Sequence, residues 1–290
     1  MTSGNLHNDS IKELIEAGID KDDARFDIEL LEDLLVKLGE DAFRAGVTRR
    51  AQGEPLAYIL GERAFYKDVF KVVPGVLVPR NDTELLVEAA LRFMGLLDFP
   101  LGDVAKVTVG DVTDGFTVID LCTGTGCIGI SIANEATSKG KSVQMTMCDL
   151  SPVALRCAQD NASTVAKAPV QVKEFDVLNG DYSTLVEGEA DIIVSNPPYI
   201  TDDEMEELPY DVKNYEPDIA LRAADNGLEF YKAIATKSMP ILKNTGMLAV
   251  EHGYLQGEAV RDIFAHEGYI DILTLKDYGG NDRVTIGRKI

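Results

Sequence analysis

The chain is poor in the residues and patterns that build metal sites, disulfide frameworks and membrane spans. Its 290 residues include three histidines and four cysteines. No stretch approaches the roughly 20 consecutive apolar residues that a membrane-spanning helix needs. Residues 1–10 show no basic-then-apolar signal pattern. We therefore expect no membrane association and a cytoplasmic location.

The cysteines are spaced for neither a disulfide framework nor a zinc site. They fall within one predicted strand–helix–strand–helix segment without a Cys-x-x-Cys pair: Cys122, Cys127, Cys148 and Cys157. The histidines are scattered along the chain, so no metal site is predicted. Two of the thiols, Cys122 and Cys127, flank a glycine turn at a helix start, where a helix N-terminus can lower a thiol pKa.

Positive charge is also scarce. The chain carries 28 Lys and Arg against 49 Asp and Glu, which gives a formal net charge of −21. A protein that follows a nucleic-acid backbone presents a basic face to the phosphates. We therefore expect no direct nucleic-acid binding, and the composition favours a small-molecule, peptide or protein substrate.

The first part of the chain has helical periodicity and then changes character. Residues 11–50 read as helices, with one stripe at helical spacing: Leu31, Leu34, Leu35 and Leu38. From Ala64 to Val78, aromatic and β-branched residues surround turn signals, which indicates a hairpin. We predict three parts: a helical domain over residues 1–62, a β-hairpin linker over 63–80 and a main domain over 81–290.

From Thr117 onward, strands alternate with helices. Seven segments have the apolar, β-branched character of strands: Thr117–Cys122, Val143–Leu150, Val170–Phe175, Asp191–Ser195, Met247–Glu251, Ile270–Leu275 and Arg283–Gly287. Helices are predicted at Cys127–Thr137, Pro152–Val165, Gly227–Leu242 and Leu255–His266. This pattern predicts an α/β fold with a parallel sheet covered on both faces. The last connection is too short for a crossover helix, so the terminal strand is predicted to be antiparallel, and a further short strand is expected at Lys106–Val109.

A glycine-rich turn follows the first of these strands. Gly124, Gly126 and Gly129 match the spacing G-x-G-x-x-G, and Asp149 closes the next strand, where a carboxylate would meet a ribose. The glycines permit close backbone approach by a ligand, and the helix start supplies free N–H donors. Taken alone, the turn suits either a dinucleotide or S-adenosylmethionine.

The fourth strand ends in Asn-Pro-Pro-Tyr at residues 196–199. Two successive prolines lack backbone N–H groups and stop the strand ladder there. In an open α/β sheet, ligands bind outside the carboxyl ends of the strands. At such a place the Asn196 side-chain oxygen and the Pro197 carbonyl can each accept a hydrogen bond from a planar NH2 group, and Tyr199 can pack against its face.

The third strand ends in an acidic residue, Asp176. Its carboxylate can accept a hydrogen bond from an adenine amino group, or it can cap its own turn. The residue type leaves both roles open.

The combination of these motifs resembles the class I S-adenosylmethionine-dependent methyltransferases that modify planar NH2 groups. Further stretches are similar to the peptide chain release factor N(5)-glutamine methyltransferases: Gly53–Ile59, Leu77–Arg80, Asp82–Glu88, Tyr215–Pro217, Glu251–Gly253, Gln256–Arg261, Asp277–Tyr278 and Arg283–Thr285. The resemblance runs from about Arg49 to the C-terminus. The chain departs from the family pattern at Cys122, where a glycine is common, and at Val177, where an aromatic residue is frequent.

The resemblance implies a fold, a reaction and a set of site residues. The fold is a Rossmann-like seven-stranded methyltransferase sheet, and the N-terminal helical domain docks the substrate protein. The reaction transfers a methyl group from S-adenosylmethionine to the side-chain amide nitrogen of the glutamine in the Gly-Gly-Gln motif of peptide chain release factors. The implied cofactor-binding residues are Asp120, Cys122, Thr123, Gly124, Thr125, Gly126, Asp149, Asp176, Val177 and Asn196. Asn196, Pro197, Pro198 and Tyr199 are implied to hold the substrate, with Asn196, Pro197 and Tyr199 as catalytic residues.

Three other functions stay open at this point. A related methyltransferase could act on an adenine amino group of nucleic acid, although the net charge of −21 disfavours it. A nicotinamide-dependent oxidoreductase would use the glycine turn but leaves the Asn-Pro-Pro-Tyr segment without a role. A non-catalytic cofactor-binding module would bind S-adenosylmethionine and transfer nothing.

Overall fold

The computed structural model describes residues 3–97, 102–111 and 115–290. The N-terminal part consists of four helices, α1 (Ser3–Glu16), α2 (Lys21–Leu38), α3 (Glu40–Ala51) and α4 (Leu56–Leu60). Their apolar faces form a small core of their own that includes Leu14, Ile28 and Phe43. The predicted leucine stripe is wrong at its last position, because Leu38 is 71% exposed where α2 ends.

A two-stranded hairpin follows the helices. Strands β1 (Glu62–Phe65) and β2 (Asp68–Lys71) pair antiparallel, and Tyr66 adopts a left-handed φ of 55° in the turn between them. The backbone N–H of Lys71 donates to Asn161 of the main sheet region over 2.8 Å. The hairpin is therefore tied to the sheet domain through β2.

The main sheet has seven strands: β3 (Gly115–Leu121), β4 (Ser142–Asp149), β5 (Val170–Glu174), β6 (Ala190–Ser195), β7 (Leu242–Glu251), β8 (Ile270–Lys276) and β9 (Asp282–Arg288). Their spatial order is β5-β4-β3-β6-β7-β9-β8. Neighbours from β5 to β7 pair parallel, and β9 pairs antiparallel with both β7 and β8. The predicted fold class and the antiparallel terminal strand are confirmed, but that strand lies inside the sheet and not at its edge.

Helices cover both faces of this sheet. The remaining helices are α5 (Glu84–Phe93), α6 (Cys127–Ser138), α7 (Pro152–Thr164), α8 (Asp202–Glu207), α9 (Tyr210–Tyr215), α10 (Ala224–Gly227), α11 (Glu229–Ser238) and α12 (Gly257–His266). Successive strand residues point to opposite faces, so Val118 of β3 packs in the core with α5 and α6, whereas Ile119 packs in the core with α11 and α12. No helix in the described ranges is both long and apolar enough to cross a bilayer.

The segment between α5 and β3 is not as predicted. A 3₁₀ helix covers Gly102–Lys106, and the Val107 N–H bonds back to the Val104 carbonyl over 3.1 Å. The described residues of Lys106–Val109 therefore form no strand, because this local turn occupies the backbone donor that a ladder would need. Residues 98–101 and 112–114 of the same connection lie outside the described residues.

Candidate active site

Two adjacent cavities lie at the carboxyl ends of the parallel strands, the first at β3, β4, β5 and β6 and the second at β6 and β7. The first, of about 180 Å³, is lined by residues of the loops after all four strands. The second, of about 250 Å³, lies on the other side of the Asn-Pro-Pro-Tyr segment and is lined by Pro197, Tyr199 and Glu251. Asn196 and Arg80 line both cavities. Parallel strands meet at one edge of a sheet, which is why motifs far apart in the chain converge here.

The glycine turn forms one wall of the first cavity. Cys122, Gly124 and Gly126 all have left-handed φ values, of 57°, 59° and 82°, which bend the chain sharply between β3 and α6. The wall itself is made by Cys122, Thr123, Gly124 and Thr125, four of the predicted cofactor-binding residues. Gly126 does not line the cavity, and its role is to complete the bend.

Asp120 lies beneath this turn and not in the cavity wall. Its side chain is fully buried, and its Oδ2 accepts hydrogen bonds from Thr123 Oγ1 at 2.5 Å and from the Gly129 N–H at 3.0 Å. Burial raises the pKa of Asp120 to about 7. Among the described residues its Oδ1 has no hydrogen-bond partner. The carboxyl group therefore braces the turn from below and leaves one acceptor without a protein donor.

Asp149 ends β4 at the cavity wall. Its Oδ2 accepts from the Gly124 N–H at 2.8 Å, and its Oδ1 accepts from the Ser151 N–H at 2.9 Å. Burial raises the pKa of this carboxyl group, while the backbone donors oppose the rise. Each carboxylate oxygen has a second lone pair, so Asp149 can link the glycine turn to a hydroxyl-bearing ligand.

The carboxylate of Asp176 caps its own loop. Its Oδ1 accepts from the N–H groups of Leu178 and Asn179, and its Oδ2 accepts from the Asn179 side chain at 2.9 Å. These hydrogen bonds lower its pKa. The residue lines the first cavity together with Val177. The capping role is therefore observed, and the hydrogen bond to an adenine amino group stays a prediction, since Oδ2 accepts only one hydrogen bond within the loop.

The thiols at the turn are not acidified. Burial raises the pKa of Cys127 to about 12 and that of Cys122 well above its ordinary range. The suggestion of a thiol of lowered pKa is therefore wrong, because desolvation outweighs the helix start. Both side chains behave as small apolar groups in the cavity wall.

The Asn-Pro-Pro-Tyr segment forms the partition between the two cavities. Asn196 faces both, Pro198 lines the first, and Pro197 and Tyr199 line the second. The Asn196 Nδ2 donates to Thr83 Oγ1 at 3.2 Å. The Pro197 carbonyl receives no backbone hydrogen bond from the described part of the chain. Two acceptors, the Asn196 Oδ1 and the Pro197 oxygen, therefore remain available at the partition.

Sequence reasoning missed the residues that support this partition. Thr83 precedes α5 and is 113 positions from Asn196. Glu251 ends β7 with 2% of its surface exposed. Arg80, which lines the second cavity, donates to the buried Glu216 over 2.6 Å. All four residues lie in stretches that carry the family resemblance, but no local pattern indicated that they meet at this partition.

The first cavity fits S-adenosylmethionine. A glycine turn without side chains at Gly124 lets a ligand approach the backbone, Asp149 offers a carboxylate to ribose hydroxyls, and Val177 provides an apolar surface for a base. The orphaned Oδ1 of Asp120 lies directly beneath the same turn. The exposed backbone of the turn, the carboxylate acceptor and the apolar surface are suited to a nucleoside that carries a polar amino-acid tail.

The sheet order, the glycine turn after β3 and the amide-bearing exit from β6 define a class I, Rossmann-like methyltransferase. A family described as "Methyltransferase small domain" matches residues 107–209. The release factor glutamine methyltransferase of Vibrio cholerae serotype O1 is 41% identical over 244 residues, which cover 83% of this chain and 76% of that protein. The protein of the same name from Escherichia coli K12 is 38% identical over 83% of this chain and 78% of its own length. The chain belongs to the release factor glutamine methyltransferase family, and its methyl donor is S-adenosylmethionine.

Two further relatives carry the same description. The Fusobacterium nucleatum protein, also named release factor glutamine methyltransferase, is 39% identical over 84% of this chain and 62% of its own length. A solved structure titled protein-(glutamine-N5) methyltransferase (release factor-specific), from Alicyclobacillus acidocaldarius, is 28% identical and covers 76% of this chain and 99% of its own, with a TM-score of 0.40.

Proposed function

We propose that this enzyme methylates the side-chain amide nitrogen of the glutamine in the Gly-Gly-Gln motif of peptide chain release factors. One observation carries the proposal: Asn196 lines both the cofactor cavity and the cavity behind it. Its amide nitrogen is engaged with Thr83, so its oxygen is the group left to meet a substrate N–H. The names of the relatives support a release factor as the substrate protein.

The proposed site has two halves. The turn residues Cys122 to Thr125 hold the cofactor together with Asp149, Asp176, Val177 and Asn196, which also line the first cavity. Asp120 and Gly126 shape the turn. Asn196, Pro197, Pro198 and Tyr199 hold the glutamine. The bound cofactor supplies a methyl group on a sulfonium, which is an electrophile.

The chain's own residues make the amide nitrogen reactive by aiming it. An amide nitrogen is a weak nucleophile because its lone pair is delocalised into the carbonyl. The Asn196 Oδ1 and the Pro197 carbonyl accept the two N–H bonds of the glutamine, which holds the nitrogen at the partition between the cavities. Orientation of this kind is worth up to about 7–11 kcal/mol in the best intramolecular reactions. The methylated nitrogen then releases one proton to water, so no strong base is needed.

Partner, domain and location assignments complete the proposal. The helical domain at residues 1–62, which has its own apolar core, docks the release factor; the linker covers 63–80 and the catalytic domain 81–290. The net charge of −21 supports a protein substrate in preference to an adenine in nucleic acid. A cytoplasmic location remains the prediction that goes with a translation factor as substrate.

The test replaces Asn196, the residue proposed to bind the glutamine amide nitrogen. We expect Asn196→Ala to abolish most methyl transfer to a purified release factor while leaving S-adenosylmethionine affinity, measured by calorimetry, nearly unchanged. Asn214→Ala, on exposed α9, is the matched control and is expected to retain transfer. Peptide mass analysis would locate the methyl group on the glutamine. Transfer to DNA and not to the release factor, or equal loss of transfer and cofactor binding, would contradict the assignment.

A further inference from the structure

Three polar side chains from distant parts of the chain meet at the partition: Thr83 and Asn196 line the first cavity, and Asn196 and Glu251 line the second. Thr83 belongs to the 3₁₀ turn before α5 (Asn81–Thr83), Asn196 follows β6, and Glu251 ends β7. Thr83 is 3% exposed and Glu251 is 2% exposed. Buried polar groups are retained at a free-energy cost unless they are hydrogen-bonded, so the donors and acceptors of these three side chains constrain which way each one points.

The hydrogens can be assigned along the chain of contacts. The Asn196 Nδ2 donates to Thr83 Oγ1 at 3.2 Å, which uses the threonine oxygen as an acceptor. The hydroxyl hydrogen of Thr83 is then free to donate, and the carboxyl group of Glu251 is its neighbour on the other side. Glu251 Oε2 is a buried acceptor without a hydrogen-bond partner among the described residues. An ionised carboxylate can only accept. Donation therefore runs in one direction: Asn196 donates to Thr83, and Thr83 donates toward Glu251.

This direction of donation decides which atom Asn196 presents to the substrate. The oxygen and nitrogen of an asparagine amide are nearly isosteric, and a flipped side chain would direct an NH2 group at the substrate NH2 group. Two donors facing each other cannot form a hydrogen bond. We propose that Thr83 and Glu251 are positioning residues that hold the Asn196 amide with its oxygen toward the acceptor cavity.

The network is also sensitive to the protonation of Glu251. Burial raises the pKa of Glu251 to about 7, and the neighbouring Thr83 hydroxyl opposes the rise. A protonated Glu251 can itself donate to Thr83, which frees the threonine hydroxyl to donate to Asn196 and reverses the amide. The charged and titratable groups around it are Arg283, Asp82, Arg80, Tyr199 and Tyr231. Methyl transfer is therefore expected to rise with pH through about 7.

The inference rests on the proposed function, and its first test compares two substitutions at one position. Thr83→Val keeps the shape but removes the hydroxyl, and we expect kcat to fall on the order of 100-fold, as for a misplaced reacting group, with little change in cofactor affinity. Thr83→Ser keeps the hydroxyl and is expected to restore kcat close to the wild-type value. If serine is as damaging as valine, or if valine is harmless, the proposed role is wrong.

A second variant tests the carboxylate. Glu251→Gln retains an acceptor for Thr83 but does not titrate, so we expect it to keep part of kcat and to lose the rise of kcat with pH. A pH profile unchanged from that of the wild type would remove Glu251 from the network.

A spectroscopic measurement separates this inference from the proposed function. The side-chain amide protons of Asn196 are assigned in the NMR spectrum of the labelled protein by their absence in Asn196→Asp. We expect one of them to shift in Thr83→Val and to titrate with Glu251 in the wild type. These signals report on the network even if the wild-type enzyme transfers nothing to a release factor, and unshifted signals would overturn the inference.

Discussion

A Cβ atom at Gly227 would lie 2.4 Å from the carbonyl oxygen of Tyr199. Gly227 also has a left-handed φ of 79°, so the chain packs backbone against backbone where the partition ends. Gln256 completes this contact, because its Nε2 donates to the same carbonyl at 3.1 Å and its Oε1 accepts from the Gly253 N–H at 2.9 Å. The end of the Asn-Pro-Pro-Tyr segment is therefore held by the turn before α11 and the loop after β7.

The first prediction concerns the stability of this contact. We expect Gly227→Ala to lower the free energy of unfolding by about 3 kcal/mol or more, because a left-handed alanine is strained and its methyl group overlaps the Tyr199 carbonyl. Gly188→Ala is the matched control, since Gly188 has a φ of 96° with no atom within 4 Å of the added Cβ. That control is expected to lose only about 1 kcal/mol. Urea unfolding of both variants checks the prediction, and equal losses would mean that the Tyr199 contact relaxes without strain.

The second prediction concerns cofactor affinity and uses two acids with similar local contacts. Asp149 and Asp176 each accept hydrogen bonds from two backbone N–H groups. We expect Asp149→Ala to weaken S-adenosylmethionine binding about tenfold or more, which corresponds to about 1.4 kcal/mol, because its carboxylate has capacity left for the ribose. Asp176→Ala is expected to change affinity much less. Calorimetric titration decides, and comparable losses would show that Asp149 acts only by shaping its loop.

The third prediction concerns the pH dependence of stability. Burial raises the pKa of Asp120 to about 7 in the folded state from an ordinary value of 3.8. Between these values the folded protein binds a proton that the unfolded chain releases, so this group's contribution is fully present below pH 3.8 and is lost as pH rises toward 7. The free energy of unfolding is expected to fall by up to about 1.4 kcal/mol per pH unit from this one group.

Chemical denaturation at a series of pH values checks the sign. Asp120→Asn removes the titrating group and is expected to reduce the downward slope without abolishing it, because Glu251, whose pKa is also raised to about 7, contributes over the same range. A slope that is identical in the variant and the wild type would contradict the assignment to Asp120.

Several parts of the fold were predictable because local patterns decide them. Six of the seven strands of the main sheet form within two residues of their predicted bounds, and β7 begins five residues before its predicted start at Met247. The agreement follows because apolar, β-branched runs indicate strands. The failures also have physical causes. Leu38 has helical spacing but falls at the end of α2, where no neighbour covers it, and Val107 bonds back within its own 3₁₀ turn.

The residue types of the site could be read along the chain, but their partners could not. The sequence by itself determined the glycine turn, the acid at the end of β4 and the proline-bounded exit from β6, because short segments encode the ends of strands. Only the tertiary structure decided that Thr83 meets Asn196 across 113 positions, that β9 lies between β7 and β8, and that Asp120 braces the turn from below. The physical reason is that such contacts depend on how the strands are ordered and how the helices pack over them. No local sequence pattern predicts a contact between residues that are far apart in the chain.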